Sequence, residues 1–260
     1  MTISVVCPTY NSASYIEDTL ESVLSQDLSP NELIISDDGS SDNTIDVVEH
    51  YLKSHNKKLN YKIVKNMHQG PGAARNSGIR SSTSKWIAFL DSDDIWYPKK
   101  ISHIQDIISQ NEAINFICHN EMLVSEKNKK RAMYYSKKFN VNKPLFNQLY
   151  NSNLFSTSAI VCQKDLLINH GMFDENLMSA QDYDLWLRLA PHISIFFTEE
   201  ILGEYIVRDG NITSSSIVKR FKNEIKIARR YSKFFKPQFF YIRIIMIFLS
   251  YLKQLLFRWI

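Results

Sequence analysis

Apolar and polar positions in the first half of the chain follow two alternating periods. Four apolar runs of strand length, Ile3-Ser4-Val5-Val6-Cys7, Leu33-Ile34-Ile35-Ser36, a weaker one near Tyr61–Lys65, and Trp86–Leu90, each end at a polar turn. Between and after them, apolar residues recur at helical spacing. Ile16, Leu20, Val23 and Leu24 share one face, a second helix starts near Asn43, and a short one runs from Gly70-Pro71-Gly72 to about Ile79. Ile101, Ile104, Ile107 and Ile108 form a stripe behind Pro98, which opens the fourth helix. Ser14 and Glu17 have capping-box spacing, and Ser41 or Asp42 is placed to cap the second helix. Buried strands alternating with helices predict an α/β fold with a mostly parallel, doubly wound sheet over this half.

The second half is less regular. Asn115–Val124 reads as one or two strands and Glu126–Lys138, with five lysines and Arg131, as a loop. Asn147–Phe155 reads as helix into loop, Ser158–Cys162 as a strand, Asp165–Asn169 and Ala180–Leu189 as helices, and Ser194–Phe197 and Leu202–Val207 as strands. No repeat or low-complexity linker interrupts residues 1–215, so they are expected to share one core, with 1–115 and 116–215 as its two halves. From 216 to 260 the pattern is helical. Phe239–Trp259 is strongly apolar but is cut by Arg243 and Lys253. A membrane-spanning helix needs ~20 mostly apolar residues, so this segment is expected to lie in a membrane interface instead, with its basic residues reaching anionic head groups. The other reading is a helix packed on the body or on a second subunit.

Charge sharpens that expectation. The chain of 260 residues has a net charge of +4, but residues 219–260 hold eleven Lys or Arg against the single acid Glu224. An acidic body therefore carries a basic end, which suits an anionic surface. The long aliphatic run in that end favours lipid over nucleic acid. Three widely spaced cysteines, Cys7, Cys118 and Cys162, suggest neither a zinc site nor a disulfide framework, and a reducing cytoplasm fits them. The seven histidines show no HExxH or HxH spacing. The first residues carry no basic leader and only a six-residue apolar run, so no signal peptide is expected.

The candidate chemistry lies in the turns after the strands. Pro8-Thr9-Tyr10-Asn11, Asp37-Asp38, Gly70–Arg75 and Asp91-Ser92-Asp93-Asp94 all follow strands and should meet at one sheet edge, where open α/β sheets bind ligands. Asp91 and Asp93, two apart, concentrate hard oxygen donors that suit Mg²⁺ or Mn²⁺ shared with a diphosphate; a solvated turn with Asp94 capping the next helix is the plainer reading. Gly70-Pro71-Gly72-Ala73-Ala74-Arg75 begins like GxGxxG, but Arg stands at the third glycine and the stretch follows the third strand, so a dinucleotide site is excluded. Gln254-Leu255-Leu256-Phe257-Arg258-Trp259 resembles a QxxRW motif with one residue too many and is taken as coincidence.

Together these blocks, with Ser36-Asp37-Asp38-Gly39-Ser40-Ser41-Asp42-Asn43-Thr44, Phe89–Trp96 and Gln181-Asp182-Tyr183-Asp184-Leu185-Trp186-Leu187-Arg188, resemble the inverting family 2 glycosyltransferases of the GT-A fold, in family order over about 1–210. The resemblance implies transfer of a sugar from a nucleotide-diphosphate donor, a UDP-sugar by preference, to a hydroxyl of a glycan or lipid-linked glycan in surface polysaccharide synthesis, with Mn²⁺ or Mg²⁺. It further implies a protein at the cytoplasmic face of the membrane. Pro8, Thr9, Tyr10 and Asn11 would form the base pocket, Tyr10 by stacking, and Asp37 or Asp38, with Asp38 favoured, would read the base. Arg75 would face base or diphosphate. Asp93 would hold the metal, with Asp91 near ribose or sugar and Ser92 between them. Asp182 matches the family's catalytic base, with Asp184 as runner-up. Gln181 stands where relatives often have glutamate and, with Trp186, would contact the acceptor; a core tryptophan is the other reading of Trp186. Arg208, in Tyr205-Ile206-Val207-Arg208-Asp209-Gly210, would approach the diphosphate. Two alternatives stay open: a polyprenyl-phosphate glycosyltransferase, for which basic residues near Asp182 would matter and Arg188 and Arg208 are too few to decide, and an inactive nucleotide-sugar-binding module.

Overall fold

Strand β1 (Ile3–Thr9) is buried along its whole length, because its residues face apolar layers on both sides. It pairs in parallel with β2 (Glu32–Asp37) and β4 (Trp86–Phe89), and β2 pairs in parallel with β3 (Tyr61–Lys65). Helices α1 (Ile16–Leu24), α2 (Thr44–His55) and α3 (Pro71–Ser81) make the crossovers, as the two alternating periods require. The computed structural model describes residues 1–55, 58–125, 127–140, 142–177, 179–208 and 217–257.

Beyond β4 the sheet becomes mixed. β5 (Ile95–Trp96), β6 (Phe116–Val124), β7 (Lys130–Met133), β8 (Ile160–Gln163) and β9 (Ile195–Ile206) complete it, in the order β3-β2-β1-β4-β8-β6-β9-β5, with β7 on β6. The parallel expectation holds for β1 to β4; β8 runs antiparallel to both β4 and β6. The basic stretch read as a loop forms β7, which pairs residue by residue with Glu121–Val124, and then a 3-10 turn at Ser136–Lys138. Backbone pairing, available to any side chain, overrides the polar composition there. The two expected strands near Ser194 and Leu202 are one, β9, with register shifts against β6 that interrupt the apolar pattern. β5 is too short to show a period.

Helices α4 (Lys100–Gln110), α5 (Leu145–Asn151), α6 (Lys164–Asn169) and α7 (Gln181–Leu189) pack on the two faces. The Ser14–Glu17 capping box does not form; the N–H groups of Tyr15 and Ile16 donate instead to the Ser12 carbonyl. Asp42 does cap, accepting from the Thr44 N–H at 3.0 Å.

The C-terminal segment is a helical hairpin of α8 (Ile217–Tyr231) and α9 (Pro237–Phe257). Ile227 and Tyr231 of α8 belong to the same core cluster as α7, so the 1–215 core extends through α8. Arg243 does not reach outward as expected. It is buried and donates to the Asn151 carbonyl at 2.8 Å, facing Glu224 of α8 at 3.5 Å. The outward face of α9 is apolar: Tyr241, Ile242, Ile245, Met246, Phe248, Leu249 and Leu252 are all exposed. Among the described residues no helix is long and apolar enough to cross a membrane.

Candidate active site

The four polar turns meet at the carboxyl edge of β1, β2 and β4, held by a lattice of short hydrogen bonds. Thr9 donates its hydroxyl to Asp37 at 2.9 Å, and Asp37 also accepts from the Ser40 hydroxyl at 2.6 Å. Asn11 accepts from the Ser41 N–H at 2.8 Å. Asp38 accepts from the Gln69 and Gly70 N–H groups, both at 2.9 Å. Gly70 has φ +95°, a backbone state that glycine alone reaches freely, and at this residue the chain turns from the Asp38-bound N–H groups into α3. Asp37 and Asp38 are both almost fully buried. Their carboxylates are therefore largely engaged in shaping the cleft, with few lone pairs left for a base. Pro8 lies inside β1 beside Ser36, so it shapes the cleft from behind.

Tyr10 stands at the mouth, 44% exposed, and its ring stacks on His68 with centroids 4.4 Å apart and planes 22° apart. His68 Nδ1 lies 2.9 Å from Asp38. No sequence period or motif marks His68; the Asp38 turn brings it to Tyr10.

Asp91, Ser92 and Asp93 sit on the turn after β4. Asp91 accepts from Arg75 Nη2 at 2.6 Å, and Ser92 shares a 2.9 Å hydroxyl contact with Ser12. Burial opposes the Arg75 charge, but Asp91, and after it Asp182 and Asp93, outweigh that cost and raise its pKa. Asp182 therefore lies within electrostatic reach of the Arg75–Asp91 pair. Asp93 is pushed up to about 6 by burial and by the Asp91 carboxylate, while Arg208 and Arg75 pull the other way. Arg208 packs over the Tyr15 ring at 4.6 Å. Two carboxylates on one turn that repel each other, only Asp91 of them ion-paired among the described residues, supply hard oxygen donors, and this donor set fits a Mg²⁺ or Mn²⁺ ion that takes its remaining ligands from water and phosphate. Among the described residues no cluster of three or more metal-ligating side chains forms.

Asp94 neither joins that pair nor caps α4. Its carboxyl accepts from the Ser158 hydroxyl at 2.6 Å and from the Ile206 N–H at 3.0 Å.

Asp182 stands in the first turn of α7, half-buried, and accepts from Asn153 Nδ2 at 2.8 Å. The runner-up base fails: Asp184 is fully buried and holds Arg188 at 2.9 Å, Arg230 at 2.6 Å and the Tyr231 hydroxyl at 3.1 Å. Arg188 also donates to the His170 and Met172 carbonyls, so it is not available to a lipid phosphate. Trp186 does not line an acceptor pocket. It is fully buried and its ring packs against Phe89, Phe116, Phe155 and Phe173. Gln181 is buried too, 3.5 Å from where a Gly72 side chain would begin. Asp209, Gly210, Arg258 and Trp259 lie outside the described residues.

This mixed sheet, whose parallel half ends in polar turns and a carboxylate pair, has the GT-A fold seen in solved glycosyltransferases. Solved structures agree: S. aureus TarS 1-349 in complex with UDP-GlcNAc aligns at TM-score 0.69 with 22% identity, over 94% of this chain and 70% of that one. The mannosyltransferase PcManGT from Pyrobaculum calidifontis, in complex with GDP-Man and Mn²⁺, aligns at TM-score 0.68 with 17% identity, over 96% and 69%. The profile of glycosyl transferase family 2 matches residues 4–177, and the chain belongs to that family. Among curated relatives, the uncharacterized glycosyltransferase RP339 of Rickettsia prowazekii (strain Madrid E) is 29% identical over 223 residues, 83% of this chain and 67% of that protein. The Escherichia coli UDP-Glc:alpha-D-GlcNAc-diphosphoundecaprenol beta-1,3-glucosyltransferase WfgD is 28% identical over 215 residues, 82% of this chain and 80% of that protein. The chain spans only about a third of other rickettsial relatives.

Proposed function

We propose that this protein is an inverting, metal-dependent glycosyltransferase that moves a sugar from a UDP-sugar to a hydroxyl of a lipid-linked glycan in surface polysaccharide synthesis. The observation that carries this reading is the convergence at one edge of the Tyr10–Asp38 cleft, the Asp91–Asp93 pair, and Asp182 within reach of Arg75. A bound UDP-sugar complex in TarS and the activity named for WfgD support the donor and acceptor classes.

The uracil would stack on Tyr10, with His68 as the neighbouring wall and Asp37 or Asp38 shaping its edge. Asp93 and Asp91 would hold the divalent ion, which neutralises charge on the departing diphosphate. Arg75 and Arg208 would supply fixed donors to the same oxygens. Asp182 would take the proton of the attacking hydroxyl from the face opposite the leaving group. Asn153 occupies one oxygen of that carboxylate and would leave the other for the acceptor.

The hairpin of α8 and α9 would hold the protein on the inner face of the membrane. It combines the apolar outer face of α9 with exposed Lys222, Lys226 and Arg229 on α8 and Lys233 just beyond it, a composition that suits anionic lipid. The polyprenyl-phosphate alternative is weakened by the engagement of Arg188, and the inactive-module alternative by the intact Asp91, Asp93 and Asp182.

Titration calorimetry with UDP, with and without Mn²⁺, tests the reading. Metal-dependent binding that is lost in Asp93→Ala is expected. Asp182→Asn is expected to keep that binding and lose transfer by ~10²-fold or more, since it removes only proton acceptance. No nucleotide binding by the wild type would sink the donor assignment.

A further inference from the structure

We propose that Ser158 and Asp94 form a positioning clip that sets the geometry of the Asp91–Asp93 turn and registers it with Arg208. The inference rests on the family 2 reading only for its effect on metal and donor; the clip itself is a set of hydrogen bonds within the fold.

Ser158 and Asp94 are each 1% exposed, and three separate chain segments meet on them. The Ser158 hydroxyl accepts from the Asp91 N–H at 3.0 Å and donates to Asp94 Oδ2 at 2.6 Å. The other carboxyl oxygen, Oδ1, accepts from the Ile206 N–H at 3.0 Å. A hydroxyl has one proton to give and lone pairs to receive, so this single side chain relays between the turn after β4 and the end of β9. Ile206 is two residues before Arg208, whose charge acts on Asp93. The opposite side of the turn is pinned from α1, where the Thr19 hydroxyl lies 2.8 Å from the Ser92 carbonyl oxygen and 2.9 Å from that of Asp94. The Ser158 carbonyl is itself held by the buried Lys100 ammonium at 2.9 Å.

Asp94 is buried with a protein donor on each oxygen, so its carboxyl faces the surrounding chain and not a ligand. Its work is to hold Asp91 and Asp93 side by side while β9 presents the arginine. Burying a carboxyl is costly, and these two donors offset only part of that cost: burial and the neighbouring Asp93, Glu121 and Asp91 carboxylates still push the Asp94 pKa well above the ordinary range. Asp94 and Ser158 are therefore positioning residues, acting through Asp91, Asp93 and Arg208.

Hydrogen exchange on the full chain, read on peptides covering residues 89–94 and 203–208, tests the clip without any ligand. Ser158→Ala should speed exchange at Asp91, whose acceptor is gone, and also at Ile206, whose acceptor loses its support; Ser158→Thr, which keeps the hydroxyl, should restore both. Acceleration at Asp91 with Ile206 unchanged would overturn the proposal. Metal-dependent UDP binding supplies the functional readout. Ser158→Ala should weaken it by about tenfold or more, the usual effect of removing support behind a metal ligand, while metal-free UDP binding holds. Equal loss of metal-free and metal-dependent binding would mark a general destabilisation and overturn the clip. A wild type that binds no UDP would instead remove the donor assignment, and the exchange result alone would then decide the clip.

Discussion

Lys100 has no exposed surface. Its ammonium touches the Ser158 carbonyl and sits 3.9 Å over the Trp96 ring. Burial pulls its pKa down to about 7, and the charges of Glu121 and Asp94 only partly oppose this. An unfolded lysine titrates near ~10.4. Between these values the unfolded chain holds the proton and the native chain does not, so unfolding takes up a proton and raising the pH stabilises the fold. The burial cost of the charge is thus full below the folded pKa and is relieved as pH rises above it. Denaturant unfolding between about pH 7 and about pH 9 should show stability rising by up to ~1.4 kcal/mol per pH unit from this group. Lys100→Met should flatten that slope. At this scale the legible residues were those whose chemistry needs a particular side chain at a strand end: Tyr10, Asp91, Asp93, Asp182. His68, Asn153 and Ser158 were not legible, because a common polar residue acquires a role only from what stands across the fold.

Helix α3 shows what an element demands of its neighbours. A side chain at Gly78 would begin 2.5 Å from Val6 Cγ1, below any real contact. Val6 is a fully buried, β-branched residue in the middle of the sheet and cannot turn aside. Gly78→Ala should therefore destabilise by ~1–3 kcal/mol through overpacking, which outweighs the ~1 kcal/mol of helix propensity it gains. Thermal unfolding checks this, and Val6→Ala in the same chain should recover part of the loss. Helix α7 explains a misreading at the same scale. Asp182 and Trp186 are one turn apart and share a face, yet the first reaches the site and the second lies in the core. Asp182 is half-buried in the first turn and Trp186 fully buried in the next, so one face passes from accessible to interior within a turn. Amphipathic spacing reports a face, not how deep each turn of it lies.

Across the whole molecule, the basic end is not a free tail. Arg230 bridges Asp174 and Asp184, the Asn223 side chain donates to Ser179, and the Tyr150 hydroxyl donates to the Ala228 carbonyl, so α8 is built against the helix that carries Asp182. A membrane surface bound by the hairpin would then lie on the Asp182 side of the site. Ile245→Glu with Leu249→Glu, both on the outward face, should leave the fold intact and weaken binding to vesicles containing anionic lipid by about tenfold or more. Sedimentation with such vesicles checks this, and unchanged binding would remove the membrane role. The sequence alone determined the strand–helix alternation of the first half, the edge where its polar turns meet, and the carboxylates at that edge. These follow from local periodicity and from the rule that parallel strands bring successive turns to one end. Only the tertiary structure decided which carboxylates stay open to a ligand and which are sealed in hydrogen bonds, and that α9 turns Arg243 inward and its apolar face out. Those outcomes depend on partners distant in the chain, whose identity no local pattern encodes.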